Sequence, residues 1–491
     1  MPVWSILIAP LAASVLCVAG SSTAAIRRIS AAGAAATLGM SGWAGCSVLL
    51  HGPISGGGLR LDALGVYLAL IASLLSFAAS LASGGFMEHE AQTENLGLNA
   101  WRVYYALLHL FTTSMLWVSI SNNLGFLWIA VEATTLSSAF LVGFHRHHHS
   151  VEAAWKYVIL CSVGIAFALF GTILLYYAGA KAGNGHSLDW TAFMEAAPRM
   201  DPRIVRLAFL FAFLGYGTKA GFAPMHTWLP DAHSQAPSPI SAMLSGVLLT
   251  AAFYALMRFH AIAARCLGPA FPSRLFLAFG LLSLALAAPF ILAARDYKRM
   301  LAYSSVEHMG LMSLALGIGS RFALYGMLLH LLCHALAKGL AFMSSGLILR
   351  GFGTRKITKV SGALSALPAA GVPFLAAVLA LSGLPPFGIF TSELIILSEA
   401  FAQGRLWTGL AALALLGVIF AGLFYHALRM SFGPAREGVP RIPNQRPGFW
   451  EWTAPAACFI AVLALLGFWI PGPLDRWLME MARIIEGAAY G

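Results

Sequence analysis

One lysine inside an apolar stretch sets the chemical question. Lys219 follows a run of apolar and small residues that begins near Leu207. Gly221, Pro224, Pro230, Pro237 and Pro239 then break the run, and His226, Asp231 and His233 sit in the broken part. An ionisable group inside a membrane-spanning segment is expensive and marks a functional site by default. Irregular backbone at that depth persists only inside protein or beside a water-filled cavity. Together these features point to a hydrated ion path. The plainer alternative is a polar loop, with Lys219 snorkelling to the surface on its aliphatic stem.

Further protonatable groups recur at useful spacing. His330, His334 and Lys338 lie in LLHLLCHALAKGLAF, four residues apart and so on one helical face. Imidazole changes charge near neutral pH, which suits a proton relay. A four-residue step rises about 6 Å, beyond hydrogen-bond reach, so water must bridge it. The alternatives are satisfied core histidines or a metal pair; no HExxH accompanies the H-x-x-x-H spacing. Glu132 lies deep in NNLGFLWIAVEATTLSSAFLVGF, and Lys219 is its natural partner. A neutral, hydrogen-bonded core acid is the plainer reading. Glu393 follows Thr391 and Ser392 after a second broken stretch, LSGLPPFGIFTSE, and reads as an exit group or a helix-end cap. Asp231, Glu307 and His308 form a second tier. The tract His145 to His149, HRHHH, can bind metal in principle and is read here as a solvated loop.

These residues need helices to hold them in lipid. Of 491 residues, 59% are hydrophobic and only 10% charged, whereas soluble domains carry about 25% charge. The fold class is therefore an all-α polytopic membrane protein. About fourteen stretches meet the ~20-residue length of a span. The opening MPVWSILIAPLAASVLCVAG has no basic n-region and reads as a first span, not a cleaved signal. The net charge of +11 is spread over short loops, which fits membrane topology and anionic lipid and excludes a nucleic-acid face. The six cysteines are scattered in apolar segments without CxxC. Zinc and iron–sulfur ligation are not expected.

Two interrupted segments, each with an ionisable residue beside the break, point to inverted repeats around a midplane site. The expected organisation is residues 1–100 as three N-terminal helices, 101–265 as a first repeat of helices four to eight, 266–430 as a second of helices nine to thirteen, and 431–491 as helix fourteen with an amphipathic tail. The odd-numbered connections are richer in Lys and Arg, Arg436, Arg441 and Arg446 among them. The positive-inside rule then puts both termini outside.

At these motifs the sequence resembles the antiporter-like proton-translocating subunits of respiratory complex I, Mrp antiporters and membrane-bound hydrogenases. The resemblance rests on KAGFAPMHTWLPDAHSQAPSP, RDYKRMLAYSSVEHMG, HALAKGLAFM and LSGLPPFGIFTSE. EATTLSSAFLVGFHRHHHSVEAAWKYVILCSVG looks closest to the hydrogenase-4 component F type. The resemblance implies fourteen helices, two inverted five-helix repeats and broken helices seven and twelve. It implies that Glu132 is the fifth-helix glutamate, Lys219 the seventh-helix lysine, Lys338 the eleventh-helix lysine with His330 and His334 beside it, and Glu393 the twelfth-helix terminal group. The sequence departs from several complex I relatives at Thr250, which stands where they carry an eighth-helix lysine. Threonine cannot hold that charge, so the central relay must use water, the histidines or another route.

The resulting expectation is a proton-translocating membrane subunit of a redox-driven complex, a group 4 nickel–iron hydrogenase or formate hydrogenlyase-like assembly. The chain carries no cofactor of its own. Its partners are other membrane subunits, including further antiporter-like ones, peripheral nickel–iron and iron–sulfur subunits, and lipid. The location is the cytoplasmic membrane of a bacterium or archaeon. Alternatives are an Mrp-type cation/proton antiporter subunit, a complex I subunit, an inorganic-carbon transport partner and a non-conducting scaffold. Sodium would need oxygen ligands, and the central groups are mostly nitrogenous.

Overall fold

A computed structural model describes residues 2–434 and 449–490. Arg436, Arg441 and Arg446 lie outside them, with the rest of 435–448 from the last proposed segment. The chain is helical almost throughout. Among the described residues the only strands form a small antiparallel hairpin, β1 (Ile54–Gly56) with β2 (Leu59–Leu61).

The helices up to the first break are α1 (Ile8–Ala19), α2 (Thr23–His51), α3 (Ala63–Thr93), α4 (Leu98–Ile120), α5 (Leu124–Val142), α6 (His148–Lys181), the short α7 (Trp190–Ala196) and α8 (Pro202–Ala220). After it come α9 (Leu229–Gln235), α10 (Ser238–Met243), a π-helical turn Leu244–Leu248, and α11 (Leu249–Leu267). Then follow α12 (Ala270–Leu292), α13 (Tyr297–Ile318), α14 (Arg321–Phe352), α15 (Ala363–Ala366) and α16 (Pro368–Leu381). The second break leads into α17 (Gly388–Ala402), α18 (Leu406–Ser431), α19 (Phe449–Phe468) and α20 (Gly472–Tyr490).

Among the described residues ten helices are long and apolar enough to cross a membrane, with shorter apolar helices at Val3–Ala19 and Pro368–Leu381. Length and composition alone thus stop short of fourteen. The helices that miss the criterion include α8 and α13, which carry Lys219, Glu307 and His308; the same polar groups that make them interesting lower their hydropathy.

Both breaks have the same local architecture. α8 ends at Gly221, φ +81°, where the Phe222 amide donates to the Gly217 carbonyl at 3.0 Å. α16 ends at Gly383, φ +67°, where the Leu384 amide donates to Leu379 at 3.2 Å. Each is a helix C-terminus closed by a left-handed glycine and a six-to-one hydrogen bond. A proline with no N–H follows each time, Pro224 in one and Pro385–Pro386 in the other, so the helix cannot resume at once. Both breaks contain a cis X–Pro bond.

The centre of the molecule is α14, packed against α3, α10, α13, α16, α17 and α20. The run Ser238–Leu267 is buried over its whole apolar window. A buried ion pair pins its far end: Arg258 donates to both oxygens of Asp62 at 2.8 and 2.7 Å and to Tyr254 at 2.7 Å. Asp62 also caps α3 by accepting from the Gly65 amide at 2.9 Å. Burial alone would raise the Asp62 pKa, but Arg258 and the Gly65 amide outweigh it and hold the carboxyl below the ordinary range. The amphipathic α20 packs on α14 and α11, with Tyr325 donating to Asp475 at 2.8 Å.

Candidate functional site: a buried lysine and histidine axis

The first cluster is built by α5, α6 and α8. Glu132 is half-buried on α5, and its Oε1 accepts from Ser162 at 2.7 Å. Lys219 sits two residues before the α8 break and is fully buried. The two do not touch directly. Thr135, one turn along α5 from Glu132, donates to Glu132 Oε2 at 3.2 Å and accepts from Lys219 Nζ. Lys219 also reaches the Tyr157 hydroxyl at 3.3 Å, and Tyr157 pairs with Ser138 at 2.8 Å. A buried ammonium needs such oxygens, because unpaired burial costs several kcal/mol. Glu132 and Lys219 are thus joined through one hydroxyl, not in direct contact.

The break itself holds His226 and His233. His233 lies on α9, and its Nδ1 pairs with the Leu229 carbonyl at 2.9 Å, leaving Nε2 without a protein partner. Its ring packs between Trp228 and Phe342, 5.9 Å from each. His226 Nδ1 has no protein partner either. Asp231 is different. It lies towards the surface, paired with Arg299 and, at 3.2 Å, with Lys156, which also pairs with Glu152 at 2.6 Å. That network ties α9 to α6 and α13.

The second cluster joins α13, α14 and α17. Lys338 donates to the Leu301 carbonyl at 2.8 Å and to Ser304. His330, His334 and Lys338 do share one face of α14, as their spacing predicts. Side chains from α13 and α17 join that face. His330 Nε2 is 3.0 Å from His308 Nδ1 on α13, and His330 Nδ1 is 2.9 Å from Ser392 on α17. His308 Nδ1 also lies 3.3 Å from Glu307 Oε1. The His334 ring is 5.1 Å from that of His308, and neither of its nitrogens has a protein partner. Glu307 Oε2 and His308 Nε2 are likewise unpartnered. Several buried polar atoms without a protein partner thus lie together in one interior.

Glu393 reaches back from α17 to the second break. A Cβ at Gly383 would overlap its Oε2. Ligand atoms of Glu393, His308 and His330 lie within 4.8 Å of one another. Zinc would require bonds of about 2.0–2.2 Å, so this group would have to contract and give up the His308–His330 bond. His148, His149 and Glu152 form a similar group, fully exposed.

Thr250 is buried, with its hydroxyl turned back to the Gly246 carbonyl at 3.1 Å. The π-turn just before it lies against α14, where a Cβ on Gly246 would come 3.2 Å from the Ala335 carbonyl. Ser245 of that turn bonds Ser305 at 2.7 Å, one residue from the Ser304 that holds Lys338. Sequence reasoning missed Thr135, Tyr157, Ser162, Ser304 and Ser392. Thr135 and Ser304 each stand three residues from a predicted carboxylate, Glu132 and Glu307, which was the available signal.

Residues 121–420 match the family described as NADH:quinone oxidoreductase/Mrp antiporter, transmembrane. The hydrogenase-4 component F homolog of Methylacidiphilum infernorum is 39% identical over 437 residues, covering 87% of this chain and 88% of that protein. Among solved structures, a chain of an archaeal respiratory complex, the membrane-bound sulfane sulfur reductase, superposes with a TM-score of 0.85 at 23% identity, over 99% of this chain and 97% of its own. A chain of Thermus thermophilus respiratory complex I gives 0.76 at 25% identity, over 95% and 98%.

Proposed function

The chain belongs to the NADH:quinone oxidoreductase/Mrp antiporter transmembrane family, and from that premise we propose that it is the proton-translocating membrane subunit of a redox-driven complex of the group 4 nickel–iron hydrogenase or formate hydrogenlyase-like type. The observation that carries this reading is Lys219, wholly buried beside a helix break and linked to Glu132 through one hydroxyl.

One break lies in each of the two proposed repeats, residues 101–265 and 266–430. Lys219 belongs to the first and Lys338 to the second. Each lysine is held only by oxygens of protein groups, so each can pass a proton to water and take one back with little rearrangement. Glu132, half-buried on the α5 flank, senses charge in a neighbouring subunit and biases Lys219. Lys338 then exchanges with the histidine cluster, and Glu393 is its outlet to water. His226 and His233 line the hydrated break of the first repeat. Water and the Ser245–Ser305 pair stand in for a charged group at Thr250.

No electron passes through this chain. Peripheral nickel–iron and iron–sulfur subunits supply the redox work, and further antiporter-like subunits adjoin it in the membrane. We place it in the cytoplasmic membrane of a bacterium or archaeon with both termini outside, since the connections richer in Lys and Arg then face the cytoplasm. Purifying the assembled complex and identifying its subunits tests this reading. Nickel–iron hydrogenase subunits are the expected result; Mrp subunits, or a zinc carbonic-anhydrase-like protein, would replace it with one of the other readings.

A further inference from the structure

The N-terminal helices hold a second buried polar system, outside the matched residues 121–420 and apart from the axis above. Facing hydroxyls pair where α2, α3 and α4 meet: Ser41 with Ser73 at 2.7 Å, Ser76 with Thr112 at 2.7 Å, Ser83 with Tyr104 at 2.9 Å. Among them stands His109 of α4, fully buried. Its Nε2 is 2.9 Å from Ser30 Oγ, and Ser30 Oγ is 2.7 Å from Ser80 Oγ. Its Nδ1 has no protein partner. A helix contact of this kind is stable with hydroxyls alone, so a histidine with one free nitrogen calls for a reason.

Ser80 supplies one. Besides bonding Ser30 it lines a cavity of about 300 Å³, with Arg27, Arg28, Gly84 and Glu451 around it. Arg27 is paired there with Glu88 and, at 2.7 Å, with Glu451. Arg28 at the rim is exposed. The space is polar and large enough for several waters. It lies on the same side as the connection between α1 and α2, the side we assign to the cytoplasm.

We propose that this cavity, Ser80, Ser30 and His109 form a separate proton-access branch, with His109 as its proton-binding site. The proposal rests on the proton-translocating reading of the chain. A proton from cavity water bonds to Ser80 Oγ as Ser80 passes its own to Ser30, and Ser30 passes its own to His109 Nε2. Each hydroxyl gains one proton and loses one, and the neutral imidazole becomes imidazolium. Loss of the Nδ1 proton to water leaves a neutral ring in the other tautomer; hydroxyl rotation resets the file, and ring rotation with exchange of the remaining proton restores the first tautomer before the next transfer. Farther along α4, Ser114 lies 3.5 Å from Ser137 of α5, so the same helix borders the Lys219 cluster. From His109 to Ser114 the helix rises about 7.5 Å, a gap that bridging water must cover.

The test uses the assembled complex in proteoliposomes, reading proton uptake per electron, with Lys219→Met as the reference for the axis. His109→Gln and Ser80→Ala should each lower uptake by about tenfold, less than the roughly hundredfold loss when a sole proton-transferring group is removed. Ser80→Ala keeps the packing if the histidine variant fails to assemble. In parallel, Ser80→Cys should react with a charged, water-soluble methanethiosulfonate, located by peptide mass. Failure of that labelling, or normal uptake in both variants, overturns the branch. If Lys219→Met loses uptake while the branch variants do not, only this inference falls. If all three transport normally, the transporter reading falls with it.

Discussion

Glu132 and Lys219 meet on a single hydroxyl. Thr135 donates to the carboxylate and accepts from the ammonium, so the two charged groups communicate through one rotatable O–H and not through a direct ion pair. A direct buried pair would be held firmly and would resist switching, since removing either charge from it costs several kcal/mol. A shared hydroxyl keeps the charges coupled while leaving each free to change.

Thr135→Val should therefore slow coupled proton transport by about tenfold, equivalent to ~1.4 kcal/mol on the barrier. Thr135→Ser should transport normally, because it keeps the hydroxyl. Equal rates in the two variants, measured as proton uptake by proteoliposomes, would show that the bridge is incidental.

Glu132→Gln tests the other end. The amide preserves shape and still accepts from Ser162, so the complex should assemble at its usual yield. Proton transport per electron should nevertheless drop, because Gln carries no charge with which to bias Lys219. Unchanged transport at normal assembly rejects the switch.

The histidine cluster gives a third expectation. His330 is held from two sides, by His308 and Ser392. His330→Gln should reduce proton uptake by about 10²-fold, the low end for removing a positioned proton-transferring side chain. Ser392→Ala should have a smaller effect in the same direction. A His330→Gln complex that pumps at the usual rate would move the path elsewhere.

The fold class, both breaks and the shared face of His330, His334 and Lys338 were legible in the sequence. Each is local: an apolar run, a glycine followed by proline, a four-residue period. The cross-helix links were not. His308 follows a basic loop and reads in the sequence as a second-tier path residue without a stated partner, yet the packing of α13 on α14 puts it against His330. Thr135 and Ser304 are ordinary helix residues until a lysine from another helix reaches them. Asp231 misled in the opposite direction: its neighbours in sequence are axis residues, but α9 turns it towards Arg299 and Lys156 at the surface. Spacing along one chain carries no information about which neighbouring helix a side chain faces.

A structural prediction concerns Asp62 and Arg258. Asp62→Ala strands a buried guanidinium, and such breakage costs about 3–5 kcal/mol. Thermal unfolding of the purified protein in detergent should shift down clearly. The pH dependence has a definite sign. The Asp62 pKa is lowered in the folded state, so the pair's contribution is present above the unfolded carboxylate value and is lost as pH falls through the lowered one. A melting temperature in Asp62→Ala equal to that of the unaltered protein would contradict this.

The central claim is that protons pass through Lys338. It is most directly tested by Lys338→Met and Lys338→Arg in the assembled complex, with proton uptake and redox rate measured together in proteoliposomes. Methionine keeps the length and removes the proton site. Arginine keeps the charge, but guanidinium scarcely deprotonates and cannot pass the proton on. Both variants should lose proton uptake per electron. If both pump at the normal proton-per-electron ratio, the buried axis is not the path, and the chain serves its complex as a scaffold.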